Sequence, residues 1–215
     1  MDGMDFPLSE TVRETVYRLD GPLRWAIGEN TALVRKGDVD IGETVLDVGA
    51  GTGYLSLPLA KAVGDTGHVI CLDTSPELLG VLRTKARRHS LENRLCFEIS
   101  NSKQIPFAEN YFDAVFSSYT LHECGPQADV LLGEMCRVLK PHRKLVLADY
   151  RAIEDENRRK QIEAWYQAHG DNACDDELHL RFSLAELERM LHEVGFSSIE
   201  LCTWADFHMH AVAIK

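Results

Sequence analysis

VLDVGAGTGYLSLPLA, residues 45–60, sets three glycines at alternate positions between two apolar segments. Residues 45–48 are typical of a buried strand, and a helix is expected to begin near Tyr54. A strand, a glycine turn and a helix N-terminus together bring backbone N–H groups to a ligand at the carboxyl edge of a parallel sheet. One glycine would satisfy a tight turn, so three in this pattern favour a ligand site.

The spacing of the glycines indicates which ligand. A dinucleotide fingerprint needs a third glycine where Tyr54 or Ser56 stands, and the lysine of a phosphate-binding loop is missing. Asp73 ends the next strand-like run, and its carboxylate can accept two hydrogen bonds from vicinal ribose hydroxyls. The sequence therefore favours a nucleoside over a pyrophosphate.

Strand-like and helical segments alternate through the rest of the chain. Between the strands, the sequence predicts helices over 76–89 and 127–139, and a capping box formed by Ser183 and Glu186 begins a third. Such alternation predicts an α/β fold with parallel strands, and the last two strands, turning at Asp206, should pair antiparallel. The predicted strands are 44–48, 68–72, 95–99, 113–118, 144–150, 198–204 and 208–214.

Composition excludes several classes of partner. The 215 residues carry 23 Lys+Arg and 34 Asp+Glu, a net charge of −11, which repels nucleic acid and anionic lipid. No run of apolar residues is long enough to span a membrane, and the acidic N-terminus lacks the features of a signal peptide, so a cytoplasmic protein is expected. The six cysteines contain no C-x-x-C pair; buried reduced thiols are expected, with Cys71, Cys96 and Cys202 in strands.

A single domain over residues 1–215 is predicted, with the oligomeric state, monomer or homodimer, left open. Residues 1–40 form a helical flank or lid, and residues 41–150 form the ligand-binding core. Residues 151–182 form a helical insertion, and residues 183–215 supply the last helix and a strand pair. Insertions at the carboxyl ends of parallel strands shape the substrate side of a site.

Four segments in order resemble the class I S-adenosylmethionine-dependent methyltransferases: VLDVGAGTG, VICLDTSPELL, IPFAENYFDAVFSSYTLHE and MCRVLKPHRKLVLADY. The resemblance implies a Rossmann-like fold, a mixed seven-stranded sheet with the last strand antiparallel and helices on both faces. It also implies S-adenosylmethionine as cofactor and a small molecule as substrate. The cofactor-binding residues it implies are Asp47, Gly49, Ala50, Gly51, Gly53, Asp73, Thr74, Asn101, Ser102 and Ser118.

Two positions depart from the family pattern. Asn101 stands where the family has an Asp that accepts from the adenine amine, and His142-Arg143 replace Gly-Gly after Lys-Pro. An Asn carbonyl still accepts one N–H, but without the strength of a charged acceptor. Among the subgroups the chain is most similar to the small-molecule branch with ubiquinone/menaquinone and arsenite methyltransferases.

The segment after the fourth strand supplies the candidate catalytic residues Tyr119, His122 and Glu123. His122 and Glu123 are interpreted as base and orienter, and the alternative is that His122 only shapes the pocket wall. Asp149, Tyr150 and Arg151, at the end of the fifth strand, form a second candidate set or a solvated strand end. An arsenite or thiol methyltransferase would use Cys124 and Cys174.

Other interpretations remain open. A nucleoside-binding module without catalysis fits the same anchors, whereas a short-chain dehydrogenase lacks its Y-x-x-x-K pair. No metal site is predicted, because His208 and His210 have no third ligand at suitable spacing and are expected at the surface. Four aromatic residues could line an apolar pocket or belong to the core: Trp25, Trp165, Tyr166 and Trp204.

Overall fold

The computed structural model describes residues 8–21, 30–100, 103–168, 181–204 and 208–215. Two helices precede the sheet, α1 (Glu10–Asp20) and α2 (Asn30–Lys36). The first half then alternates β1 (Thr44–Val48), α3 (Ser56–Ala62), β2 (His68–Asp73), α4 (Pro76–Arg88) and β3 (Leu95–Ile99). The second half contains β4 (Phe112–Ser118), α5 (Ala128–Val138), β5 (Leu139–Tyr150), α6 (Glu156–Ala168), α7 (Leu184–Glu193), β6 (Ser197–Trp204) and β7 (His208–Ile214).

The seven strands form one sheet in the order β3-β2-β1-β4-β5-β7-β6. β7 is antiparallel to both β5 and β6, while β1 to β5 pair in parallel, so the predicted mixed sheet is confirmed. β1 lies between β2 and β4, which is where the strand order reverses. Open α/β sheets bind ligands outside the carboxyl ends of the strands at this switch point.

Helices cover both faces of the sheet. On one face, apolar residues of α5 and α7 pack against alternate residues of β1, such as Leu46 and Val48. On the other face, α2, α3 and α4 pack around Val45 and Phe116. Burial of two apolar faces is the main source of stability for a sheet of this kind. The described helices include none that is long and apolar enough to cross a membrane.

The boundaries of several elements depend on local chemistry. The capping box is present as predicted: Ser183 accepts from the backbone N–H of Glu186, and the Glu186 carboxylate accepts from that of Ser183. α3 begins at Ser56 rather than Tyr54, because the glycine turn continues through Leu55. β5 begins directly after α5, at Leu139, five residues earlier than predicted, because Leu139 already pairs with Phe112.

His142, which stands where the family has glycine, adopts a backbone conformation that is usual for glycine. It adopts a φ of +61°, the left-handed conformation that glycine would take without strain. Its backbone N–H donates to the carbonyl of Lys215 at 2.9 Å, which holds the turn in place.

The cysteines differ from the prediction in their burial. Cys71 and Cys136 are buried, but Cys96 and Cys202 are exposed, because they lie on β3 and β6, the two outer strands of the sheet. Side chains on an outer strand are covered less completely than those on a central strand.

Candidate functional site

The glycine turn after β1 is packed tightly against its neighbours. A Cβ at Gly49, whose φ is +72°, would lie 1.9 Å from the hydroxyl oxygen of Thr120. A Cβ at Gly53, with φ +97°, would lie 2.3 Å from Leu82 of α4. Both positions therefore need glycine for close approach as well as for backbone conformation. Gly53 allows α4 to pack closely against the turn. It is not among the described residues that line the cavity.

The backbone amides of the turn are already bonded within the protein. Gly49 and Ala50 both donate to the carbonyl of Leu72, at 2.9 and 3.0 Å, and Gly53 donates to the carbonyl of Ala50 at 2.9 Å. Gly51 donates to Asp73 Oδ2 at 2.7 Å. The expectation that these amides face a ligand is therefore wrong for these four residues, because the turn folds back onto the end of β2.

Asp73 joins the two anchors that the sequence identified separately. One carboxylate oxygen accepts from Gly51, and the other accepts from the backbone N–H of Ser75 at 2.9 Å. The side chain nevertheless lines the cavity, so that the second lone pair of each oxygen remains available for a ligand.

Asp47 lies beneath the turn and is buried, with 2% of its surface exposed. Its carboxylate accepts a 2.5 Å hydrogen bond from the hydroxyl of Ser56. Burial, reinforced by the nearby charge of Asp73, raises the pKa of Asp47 to about 7 although the hydrogen bond from Ser56 lowers it.

A cavity of about 470 Å³ opens at the carboxyl ends of β1, β2 and β4. It has the size of a typical small-molecule or cofactor site. Nine of the predicted catalytic and cofactor-binding residues line it: Asp47, Gly49, Ala50, Gly51, Asp73, Thr74, Ser118, Tyr119 and Glu123. Asn101 and Ser102, expected at the adenine, lie outside the described residues.

The chain leaves β4 through a sharp turn that borders the cavity. Tyr119 has a φ of +55°, which is uncommon for a tyrosine, and its backbone N–H donates to the carbonyl of Ala148 at 2.8 Å. Its hydroxyl is hydrogen-bonded to His208 Nδ1 at 2.7 Å. Glu123 and the half-buried Cys124 also line the cavity.

His122 lies behind this wall. It is buried, with 3% of its surface exposed. It is not among the described residues that line the cavity. Its Nδ1 donates to Asp149 Oδ1 at 2.7 Å, so the predicted pairing of His122 with Glu123 gives way to a pairing with Asp149. Both residues lie in a 3₁₀ segment, Leu121–Gln127, where adjacent side chains point in different directions, and this separates His122 from Glu123.

Asp149 is a buried acceptor rather than a solvated strand end. Its Oδ2 also accepts from the backbone N–H groups of Leu121 and His122, at 2.9 and 3.3 Å, and Oδ1 accepts from that of Tyr150. This one carboxylate therefore fixes the segment after β4 to the end of β5. The ring of Tyr150 packs against the rings of Tyr119, His122 and His208.

The histidines of β7 are buried, which corrects the expectation of a surface position. His208 and His210 are 2% and 3% exposed, because β7 lies between β5 and β6. Within the described residues, no group of three or more potential ligands could hold a metal ion. Cys174 and Trp25 lie outside these residues, as do the side chains of Trp165, Tyr166 and Trp204.

Helix α1 contributes cavity residues that the sequence did not single out: Thr15, Arg18 and Leu19. The following residue, Asp20, accepts from Lys85 Nζ at 2.6 Å and from the hydroxyl of Thr52 at 2.7 Å. Lys85 also donates to the carbonyl of Thr52 at 2.9 Å. Only the i, i+3, i+4 spacing on α1 could have indicated a shared face, and it does not say what that face covers.

Comparisons with known proteins agree on the fold. A family model described as "Methyltransferase domain" matches residues 40–195. The ubiquinone/menaquinone biosynthesis C-methyltransferase UbiE of Vibrio campbellii is 32% identical over 171 residues, covering 73% of this chain. That of Shewanella baltica is 34% identical over 119 residues, covering 55% of this chain and 47% of the relative. This chain therefore spans only part of these relatives, and it covers 65% of the length of the Vibrio campbellii protein.

Solved structures share the architecture at low sequence identity. A SAM-dependent methyltransferase from Aquifex aeolicus superposes with a TM-score of 0.75 at 23% identity, covering 94% of this chain and 97% of that one. Phosphoethanolamine N-methyltransferase 2 of Haemonchus contortus, in complex with S-adenosyl-L-methionine, gives a TM-score of 0.68 at 19% identity, covering 87% and 52%. At these identities, the superpositions show that the fold is shared.

Proposed function

Because this chain belongs to the class I S-adenosylmethionine-dependent methyltransferases, we propose that it transfers a methyl group from S-adenosylmethionine to a small-molecule acceptor. The observation that carries the proposal is a single cavity bordered by the glycine turn, by Asp73 and by the wall that follows β4. The first two fit an adenosyl group, and the third leaves room for an acceptor.

The residues of the cavity suit the cofactor chemically. Asp73 offers two carboxylate oxygens to a ribose diol, and Gly51 leaves open the space where a side chain would enter the cavity. The carboxylate of Asp73 suits a ligand with cationic groups. When bound, S-adenosylmethionine supplies an electrophilic methyl group on sulfur, so the protein mainly has to align an acceptor and exclude water.

Glu123 is the proposed general base. Glu123 is an exposed residue of the segment after β4, and it lines the cavity, so its carboxylate can take a proton from an acceptor bound there. Tyr119 forms the wall, with its hydroxyl bonded to His208, and His122 holds the wall in place through Asp149. In this assignment His122 is a positioning residue, and Glu123 takes the role of base.

We assign a ring carbon of a quinol-type compound as the first acceptor to test, since the relatives are named as C-methyltransferases. Glu123 would take the proton of a ring hydroxyl as the ring carbon accepts the methyl group and the bond between methyl and sulfur breaks. The proton on that ring carbon would then leave to restore the aromatic ring, and the cofactor would leave as the neutral thioether. A thiol or arsenite acceptor is the second candidate, because Cys124 lines the same cavity.

The test uses S-adenosylmethionine labelled in the methyl group with a panel of one demethylated quinol, a thiol, an amine and arsenite. We expect label in the quinol product, and a loss of about 100-fold in turnover for Glu123→Gln with unchanged affinity for S-adenosylhomocysteine. The control is Glu188→Gln, which removes the same charge from the exposed face of α7.

Three other outcomes have distinct meanings. Label in the thiol or arsenite product alone supports the second candidate. Binding of S-adenosylhomocysteine without transfer to any acceptor supports a nucleoside-binding module without catalysis. Absence of binding overturns the whole proposal.

A further inference from the structure

One face of α1 forms part of the cavity wall. Thr15, Arg18 and Leu19 are spaced i, i+3 and i+4, which places them on the same side of the helix. Leu19 reaches the glycine turn, since its Cδ1 would lie 3.4 Å from a Cβ added at Gly51. The end of the helix is held there by the bonds of Asp20 to Lys85 and Thr52.

The charges that line the cavity are unequal. Asp47, Asp73 and Glu123 are acidic, and among the described lining residues Arg18 is the one cation. The proposed cofactor carries two cationic groups, the sulfonium and the ammonium, and one anionic group, the carboxylate of its amino-acid part. Opposite charges attract, so Arg18 is the lining residue whose charge suits that carboxylate.

Four backbone amides of the glycine turn are already used within the protein. The N–H groups of Gly49, Ala50, Gly51 and Gly53 are bonded to acceptors within the protein. Hydroxyl-bearing residues such as Thr15 also line the cavity, and a guanidinium binds a carboxylate more strongly than a hydroxyl does.

We infer that Arg18 binds the amino-acid carboxylate of the cofactor, so that α1 completes the cofactor site. The inference rests on the proposed function and adds a residue outside the sheet edge to the site. The ion pair between Asp20 and Lys85 holds the C-terminal end of α1, two residues after Arg18. It therefore helps to keep Arg18 at the cavity.

The experiment measures binding of two ligands that differ in the amino-acid part. S-adenosylhomocysteine has the carboxylate, whereas 5′-methylthioadenosine has the same nucleoside and a thioether sulfur without it. We expect Arg18→Met to weaken S-adenosylhomocysteine about tenfold and to leave 5′-methylthioadenosine within twofold. Because Arg18 is exposed, the loss should shrink as salt is raised.

The matched control is Arg13→Met, which removes the same charge from an exposed residue of α1 that does not line the cavity. It should bind both ligands as the wild type does. Equal losses for both ligands in Arg18→Met, or unchanged binding of S-adenosylhomocysteine, overturn the inference and leave the proposed function intact. A wild type that binds neither ligand overturns both.

Discussion

The carboxylate of Asp73 accepts a 2.7 Å hydrogen bond from the backbone N–H of Gly51, which joins the end of β2 directly to the glycine turn after β1. Loss of this carboxylate therefore removes the proposed contact to the ribose and also loosens the turn. We expect Asp73→Asn to weaken S-adenosylhomocysteine at least tenfold and Asp73→Ala to abolish measurable binding by calorimetry. Glu188→Gln serves as control, and an Asp73→Asn affinity within twofold of wild type would contradict the assignment.

Two glycines with opposite surroundings test the packing of the turn. Gly49→Ala places a methyl group against Thr120 at positive φ, so we expect a loss of about 2 kcal/mol or more in the free energy of unfolding. Gly80 lies within α4 and a Cβ there meets nothing within 4 Å, so Gly80→Ala should stabilise by about 0.5–1 kcal/mol. Urea denaturation measures both, and effects of the same sign would refute the description of the turn.

The sequence predicts those parts of the fold that depend on local pattern. The alternation of strands and helices and the capping box at Ser183 depend on neighbouring residues, and they match the structure. The position of the turn after β1 also matches. The acceptors of its amides, Leu72 and Asp73, belong to the next strand, so the local pattern does not predict them.

The long-range features could not be read from spacing. The pairing of His122 with Asp149 joins residues 27 positions apart, and Glu123 is the neighbour that a linear reading suggests. The burial of His208 follows from the placement of β7 between β5 and β6, which turns the last strand of the chain into an inner strand of the sheet.

The contact between α1 and α4 should matter for ligand binding. Lys85→Met leaves Asp20 without its cation, so α1 is held less firmly over the cavity. We expect affinity for S-adenosylhomocysteine to fall by about three- to tenfold, since the pair is only partly exposed. The control is Arg87→Met, which breaks an exposed ion pair with Glu92 on the same helix. Equal effects of the two variants would count against a role for the contact between Asp20 and Lys85.

Asp149 should be more important for stability than the histidine it binds. Asp149→Ala leaves the ring of His122 and three backbone N–H groups, two of them buried, without their acceptor. In contrast, His122→Ala leaves the carboxylate with its backbone donors. We expect a loss of about 3 kcal/mol or more for Asp149→Ala and a smaller loss for His122→Ala. Chemical denaturation compares them; the reverse order would show that the ring, rather than the carboxylate, holds the segment.

Asp47 should make stability depend on pH. Burial raises its pKa from 3.8 to about 7, so the folded protein keeps a proton that the unfolded chain has already released. Its contribution to the free energy of unfolding is fully present below about pH 4, where Asp47 is protonated in both states. This contribution is lost as the pH rises from about 4 to about 7, and it does not change further above pH 7. At about 1.4 kcal/mol per pKa unit, the loss amounts to at most about 4 kcal/mol.

Asp47→Asn isolates this contribution. The amide oxygen can still accept from Ser56, but the side chain stays neutral at every pH. We therefore expect the free energy of unfolding of the variant, relative to wild type, to rise between pH 4.5 and 7 and to level off above about pH 7, as measured by urea denaturation. Other groups titrate alike in the two proteins, so their contributions cancel. Parallel curves across this range would mean that Asp47 is ionised in the folded protein and that another group compensates its burial.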